Sequence, residues 1–155
     1  DLRGQLTVEK DVIIDVDVIV EGENIIGANS LVGSHTILKD VKIGKNVEIK
    51  PYCLIEGAVI GDNCIICPYA RIRHVAVLKK NVHIGNFVEV KNSQIEQETK
   101  INHLSYIGDA NIGKNVVKCR ILSHYFAHCN NDAQQSPQFR CNIYYINGQL
   151  LMRTT

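Results

Sequence analysis

The sequence predicts an all-β parallel β-helix of triangular section, built from six-residue blocks. Three observations predict it. Aliphatic residues recur from Val8 to Ile112 at intervals of six, sometimes five, and no position is missed. The five-residue steps fall only after Leu38, Ile55, Val90 and Ile107, each the third member of a triad, so the coils are 17 or 18 residues long. The fourth residue after each rung is usually small or β-branched, as at Val18, Ser30, Thr36, Cys53, Cys64 and Ala70. A repeat of this kind is one supersecondary unit that buries its apolar face only by stacking on its neighbours.

Taken in order, each block reads as a short strand, a bend and a short strand, with rung and small residue pointing inward. A helix is excluded because a period of six puts successive rungs on different helical faces. A sandwich is excluded because no hairpin signals separate the blocks. Glycine often follows the rung directly, as at Gly27, Gly33, Gly44, Gly61, Gly85, Gly108 and Gly113, and is expected to serve corners that need unusual dihedrals. The regular domain is expected to span residues 1–116. Beyond it, six-residue steps land on Lys118, His124 and Asn130, and five of the nine Phe and Tyr residues fall there. Within this non-repeating segment, 117–155, Asn142 to Ile146 and Gln149 to Met152 flank Asn147-Gly148 and read as a hairpin. The segment reads either as a cap over the open coil or as a disordered tail.

Composition narrows the function classes. A formal charge of +1 gives no electrostatic footprint for nucleic acid. No apolar run reaches membrane length, since Asp15 and Asp17 interrupt Val12 to Val20. No signal segment opens the chain, and the cytoplasm is the default location. The first residue is Asp1, and Asp1 to Gly4 reads like the interior of a longer polypeptide. Of six cysteines, Cys53 and Cys64 occupy inward positions and are expected to be small buried hydrophobes rather than disulfide partners. Cys64 and Cys67 form a C-x-x-C, but an inward Cys64 argues against redox chemistry. Cys119, His124, His128 and Cys129 match no standard zinc spacing, and no metal is expected.

The register of the ladder gathers one constellation. Arg73 and Lys91 each follow the third rung of their coils, so they occupy the same outward place on successive coils, roughly 4.8 Å apart. Two cations at that spacing repel unless an anion such as phosphate lies between them; the alternative is two solvated surface cations. Glu89 and Tyr106 form a second aligned pair, and His103 lies on the same block as Tyr106. A histidine beside a carboxylate and an anion site is a candidate general base.

These residues carry a resemblance. The hexad ladder resembles the hexapeptide-repeat acyltransferases, which implies a left-handed coil. Residues 1 to about 116, through DLRG (1–4), GNFVEVK (85–91), NHLSYIGD (102–109) and the run 110–116, are more specifically similar to one domain. It is the C-terminal acetyltransferase domain of the bacterial bifunctional N-acetylglucosamine-1-phosphate uridylyltransferase/glucosamine-1-phosphate N-acetyltransferases. The resemblance implies acetyl transfer from acetyl-CoA to glucosamine 1-phosphate, on the route to UDP-N-acetylglucosamine for peptidoglycan and lipopolysaccharide. It implies His103 as the base, Glu89 as the group that orients or polarises it, and Arg73, Lys91 and Tyr106 as holders of the phosphosugar. It implies a homotrimer with sites between subunits.

The departures are as informative. Where the family places a sugar-site asparagine after GKNV, this chain has Val117, and 118–155 matches none of the family's acetyl-CoA rungs. The uridylyltransferase domain, to which magnesium belongs, does not resemble any part of the chain. The expectation is therefore a weak or inactive acetyltransferase. The alternatives are a non-enzymatic trimerisation module and a hexapeptide acyltransferase with another acceptor.

Overall fold

The computed structural model describes residues 1–118 and the strands Cys141–Ile146 and Gln149–Thr154. Residues 1–118 form the left-handed parallel β-helix that the ladder and the resemblance implied, with about seven turns. Its strands are mostly two or three residues long and pair in parallel with the strands one coil before and after. The three faces are read from their rungs. One carries Val20, Leu38, Ile55, Ile72, Val90 and Ile107. The second carries Ile26, Ile43, Ile60, Leu78, Ile95 and Ile112. The third carries Ile14, Val32, Ile49, Ile66, Ile84 and Ile101. Strand Ile19–Ile26 runs through a corner without a break and so joins the first two faces.

Every rung from Val20 to Ile112 is buried, whereas Val8 and Ile14 in the first coil remain exposed. The rungs form one apolar column with Cys53, Cys64, Ala70 and Ala76 between them. Each fully buried aliphatic side chain contributes about 1.5–3 kcal/mol of transfer free energy. Polar members of the column bridge coils: the Ser30 hydroxyl donates to the Gly44 carbonyl at 2.9 Å and accepts from the Val47 N–H at 3.0 Å. Thr99 makes the same two bonds to Gly113 and Val116. Among the described residues no helix is long and apolar enough to cross a membrane.

Two expectations are corrected here. At the five-residue steps the inward residue comes third, not fourth, after the rung. Ala58 is therefore buried and Val59 is exposed. A shorter corner reaches the next strand one residue earlier, and alternation then fixes which side chain points in. The second correction concerns glycine. Positive φ falls at the third residue after most rungs, and it is held by Asn29, Asn46, Asn63, Asn81 and several aromatics; among the described glycines only Gly22 and Gly57 adopt it. The glycines directly after rungs answer a different need. A Cβ on Gly27 would stand 2.6 Å from the backbone of Gly44, and one on Gly61 would stand 2.7 Å from the backbone of Lys79, so the adjacent coil itself excludes a side chain.

The corners differ in chemistry. One is an amide ladder, in which Asn29 donates to Asn46 at 3.3 Å and Asn46 to Asn63 at 3.1 Å. Another is aromatic: His35, Tyr52, Tyr69 and Phe87 stack with centroids 4.8–5.2 Å apart. The third contains Val75 at φ 63°. A β-branched residue in the left-handed region costs roughly 1–2 kcal/mol, and Val75 is exposed, so little packing offsets it. Val75→Asn is expected to raise stability by about 1 kcal/mol, read as a higher urea midpoint at unchanged slope. A lowered midpoint would show that the valine methyls contribute more than the strain costs.

Candidate active site

The strand Arg71–Ile72 pairs with Glu89–Lys91, which pairs with Tyr106–Gly108. Arg73 extends this register: its N–H donates to the Val90 carbonyl at 2.7 Å, which sets it beside Lys91. Glu89 lies directly opposite Tyr106. The sequence register therefore placed both pairs correctly.

The side chains add what register could not. The Arg73 guanidinium donates to the Glu89 carboxylate at 3.0 Å. Both groups are about one-third exposed, and a pair of that kind adds little to stability. Its effect on the site is electrostatic: it compensates Arg73. The outward column Glu21, Lys39, Glu56, Arg73 alternates in sign, and Lys91 breaks the alternation. Among the described residues no ion pair reaches the half-buried Lys91. Glu89 was expected to polarise His103, but its carboxylate turns to Arg73 instead.

His103 sits on the coil below Asn86, at the corner that leads into Tyr106. Its Nδ1 accepts the Asn86 backbone N–H at 2.9 Å. In the neutral ring that bond places the lone pair at Nδ1 and the proton at Nε2. The ring leans over Gly85, where a Cβ would stand 2.7 Å from the His103 nitrogen and 2.9 Å from Nδ1. Gly85 therefore gives His103 its room. The Tyr106 phenol likewise folds over Gly108, its hydroxyl 2.5 Å from where a Cβ would be.

Sequence reasoning missed a second histidine. His83 Nε2 lies 3.3 Å from Cys67 Sγ, on the face that leads to His103. Burial lowers the His83 pKa, and the positive ends of Lys100 and His103 lower it further. The only signal in the sequence was register, which sets Ile65 opposite His83 and so brings the next outward residue, Cys67, two positions on, alongside. The same geometry disposes of the C-x-x-C as a dithiol: Cys64 points inward and donates to the Lys79 carbonyl at 3.0 Å, while Cys67 faces outward. Burial pushes the Cys53 and Cys64 thiols up to about 11. Alkylation of the native chain at pH 8, followed by peptide mass analysis, should therefore modify Cys67 well before Cys53 or Cys64. Prior labelling of Cys64 would show that the column opens.

Among the described residues no group of three or more His, Cys, Asp or Glu could hold a metal ion. Cys119, His124, His128 and Cys129 lie outside the described residues.

Comparisons with known proteins bear on these residues. The family description "GMPPB C-terminal domain" matches residues 2–94. The chain is 49% identical over 116 residues to the bifunctional protein GlmU of Herminiimonas arsenicoxydans, covering 75% of this chain and 26% of that one. It is 53% identical over 116 residues to bifunctional protein GlmU of Nitrosospira multiformis, covering 75% and 25%. The chain thus spans about a quarter of the length of the curated relatives it matches. A UDP-N-acetylglucosamine acyltransferase from Campylobacter jejuni matches 74% of this chain and 66% of its own, at 17% identity and a TM-score of 0.42.

Proposed function

We propose that this chain, which belongs to the GMPPB C-terminal domain family, is the acceptor-binding part of an acetyltransferase. The acceptor would be the amine of glucosamine 1-phosphate and the donor acetyl-CoA. The observation that carries the reading is the arrangement on two consecutive coils of Lys91, a cation with no ion pair among the described residues, and of Tyr106 and His103 on the next coil. Identity of about one-half to the bifunctional GlmU proteins over the same coils supports it.

The chemistry asks little covalent work of the protein. A neutral amine attacks the thioester carbonyl, the tetrahedral intermediate expels the thiolate of coenzyme A, and one proton passes from the amine to a base. No acyl-enzyme is needed. His103 supplies the base through Nδ1, once the ring exchanges the Asn86 N–H for the substrate amine. Glu89 holds Arg73 in place and keeps the local charge balanced while the phosphosugar binds. Lys91 and Tyr106 fix the phosphate, and positioning of this kind is worth several kcal/mol of barrier. No residue of this chain is assigned to acetyl-CoA, and turnover is expected to be slow. A homotrimer in the cytoplasm completes the reading.

The test is thiol release from acetyl-CoA with glucosamine 1-phosphate or glucosamine as acceptor. The reading requires faster release with the phosphosugar. Equal rates for both acceptors would remove the phosphate site. The match to only a quarter of each relative favours a second reading, a β-helical trimerisation module without activity. A stable trimer in sedimentation that neither binds nor turns over either substrate would establish that alternative.

A further inference from the structure

We infer that Cys67 and His83 form a site for a thiophilic divalent cation of the Zn²⁺ class, held by one sulfur and one imidazole nitrogen and open to solvent in its remaining positions. The inference does not depend on the acceptor reading.

The two donors come from adjacent coils. Ile65 lies opposite His83, and the Cys67 N–H donates to the Ile84 carbonyl at 2.8 Å. Both side chains therefore stand outward on one pair of hydrogen-bonded strands, and sites on strands hold their geometry better than sites on loops. Cys67 Sγ and His83 Nε2 face each other at 3.3 Å. Zinc binds thiolate at about 2.3 Å and imidazole at about 2.0–2.1 Å, so an ion that touches both at this separation makes an S–Zn–N angle of roughly 100°, near tetrahedral. Little movement of either side chain is required. The residue opposite Cys67 on the next coil is Gly85, so that position adds no side chain over the sulfur. Cys67 and His83 are both half-buried, which leaves an ion a way in. Burial, and then the charges of Lys100 and His103, lower the His83 pKa and keep its ring in the neutral form that binds metal. Burial raises the Cys67 pKa, so the thiol proton leaves to solvent as the sulfur–metal bond forms. Thiolate and imidazole together select zinc over magnesium. Among the described residues no third His, Cys, Asp or Glu completes a set of three, so water fills the other positions, as in zinc sites that keep a place for exchange.

The experiment is calorimetric titration of Zn²⁺ into the reduced full chain, with Co²⁺ as a spectroscopic substitute. Cys67→Ser and His83→Gln should each weaken Zn²⁺ binding at least about tenfold, since even groups that only support a ligand are worth 10–100-fold. Cys67→Gly is the control for folding. Glycine already stands at the matching positions Gly33 and Gly85 on the same face, so the coil accepts it, and its loss of affinity should equal that of Cys67→Ser. Replacing Cys119 and Cys129 by serine should leave the affinity of this site unchanged. Bound Co²⁺ should give a sulfur-to-metal charge-transfer band that Cys67→Gly weakens and the Cys119/Cys129 replacement keeps. Excess Mg²⁺ should not displace Zn²⁺. Wild-type affinity in Cys67→Ser or His83→Gln, a band of undiminished strength in Cys67→Gly, displacement by Mg²⁺, or a wild-type chain that binds no Zn²⁺ overturns the proposal.

Discussion

Ile72→Ala should lower the stability of the coil by about 2–5 kcal/mol, a large share of the roughly 5–15 kcal/mol that holds a typical domain. Ile72 is wholly buried, and its strand pairs on one side with Leu54–Ile55 and on the other with Glu89–Val90. Truncation removes contacts to both neighbouring coils at once. A solenoid is stabilised only by nearest-neighbour interfaces, so no distant part of the fold can close over the hole. Ile72→Asp should do more. A carboxylate in that column would meet only aliphatic groups, and an unpaired buried charge costs several kcal/mol beyond the cavity. The measurement is urea unfolding followed by far-ultraviolet circular dichroism. Val59→Ala provides the control: Val59 stands outward at a shortened corner, and its truncation should stay within about 0.5 kcal/mol. A wild-type midpoint for Ile72→Ala, or equal losses at Ile72 and Val59, would mean that the column is not the source of stability.

The second large effect is catalytic. His103→Ala should reduce turnover about 10²–10⁴-fold, the range for removal of a positioned base, with little change in acceptor affinity. Affinity should hold because the phosphate is taken by other residues, so the loss belongs to the transition state rather than to binding. The bond from the Asn86 N–H to Nδ1 allows a sharper comparison. It leaves Nε2 as a donor, and glutamine can imitate that donor but cannot accept a proton. His103→Gln should therefore be as slow as His103→Ala. Near-wild-type turnover in His103→Gln would remove the base and leave His103 as a hydrogen-bond donor through Nε2.

Much of this site was legible in the sequence because the ladder is a ruler. Once the rungs are numbered, Arg73 must lie beside Lys91 and Glu89 opposite Tyr106, and the pairing of strands bears this out. What register cannot give is the direction of a long side chain. Glu89 was expected at His103 and is found on Arg73, because a carboxylate within reach of a guanidinium gains a charge-assisted bond there. The His83–Cys67 contact and the stack of His35, Tyr52, Tyr69 and Phe87 were missed for a related reason. Both lie at positions that the inward-pointing pattern leaves unconstrained.

The sequence by itself determined the fold, the coil length, the buried column and the coils on which each site residue lies. A period of six with no missed rung admits no other way to bury those aliphatic residues. The tertiary structure alone decided the rest. It showed that Asn29, Asn46 and Asn63, rather than the glycines after the rungs, take the left-handed corners, and that those glycines give way to the backbone of the next coil. It showed that Arg73 is compensated and that the Tyr106 hydroxyl turns over Gly108. The physical reason is one of range. Alternation along a strand fixes inside against outside from local sequence, whereas clearance and charge pairing depend on atoms about 17 residues away along the chain, and only stacking brings these together.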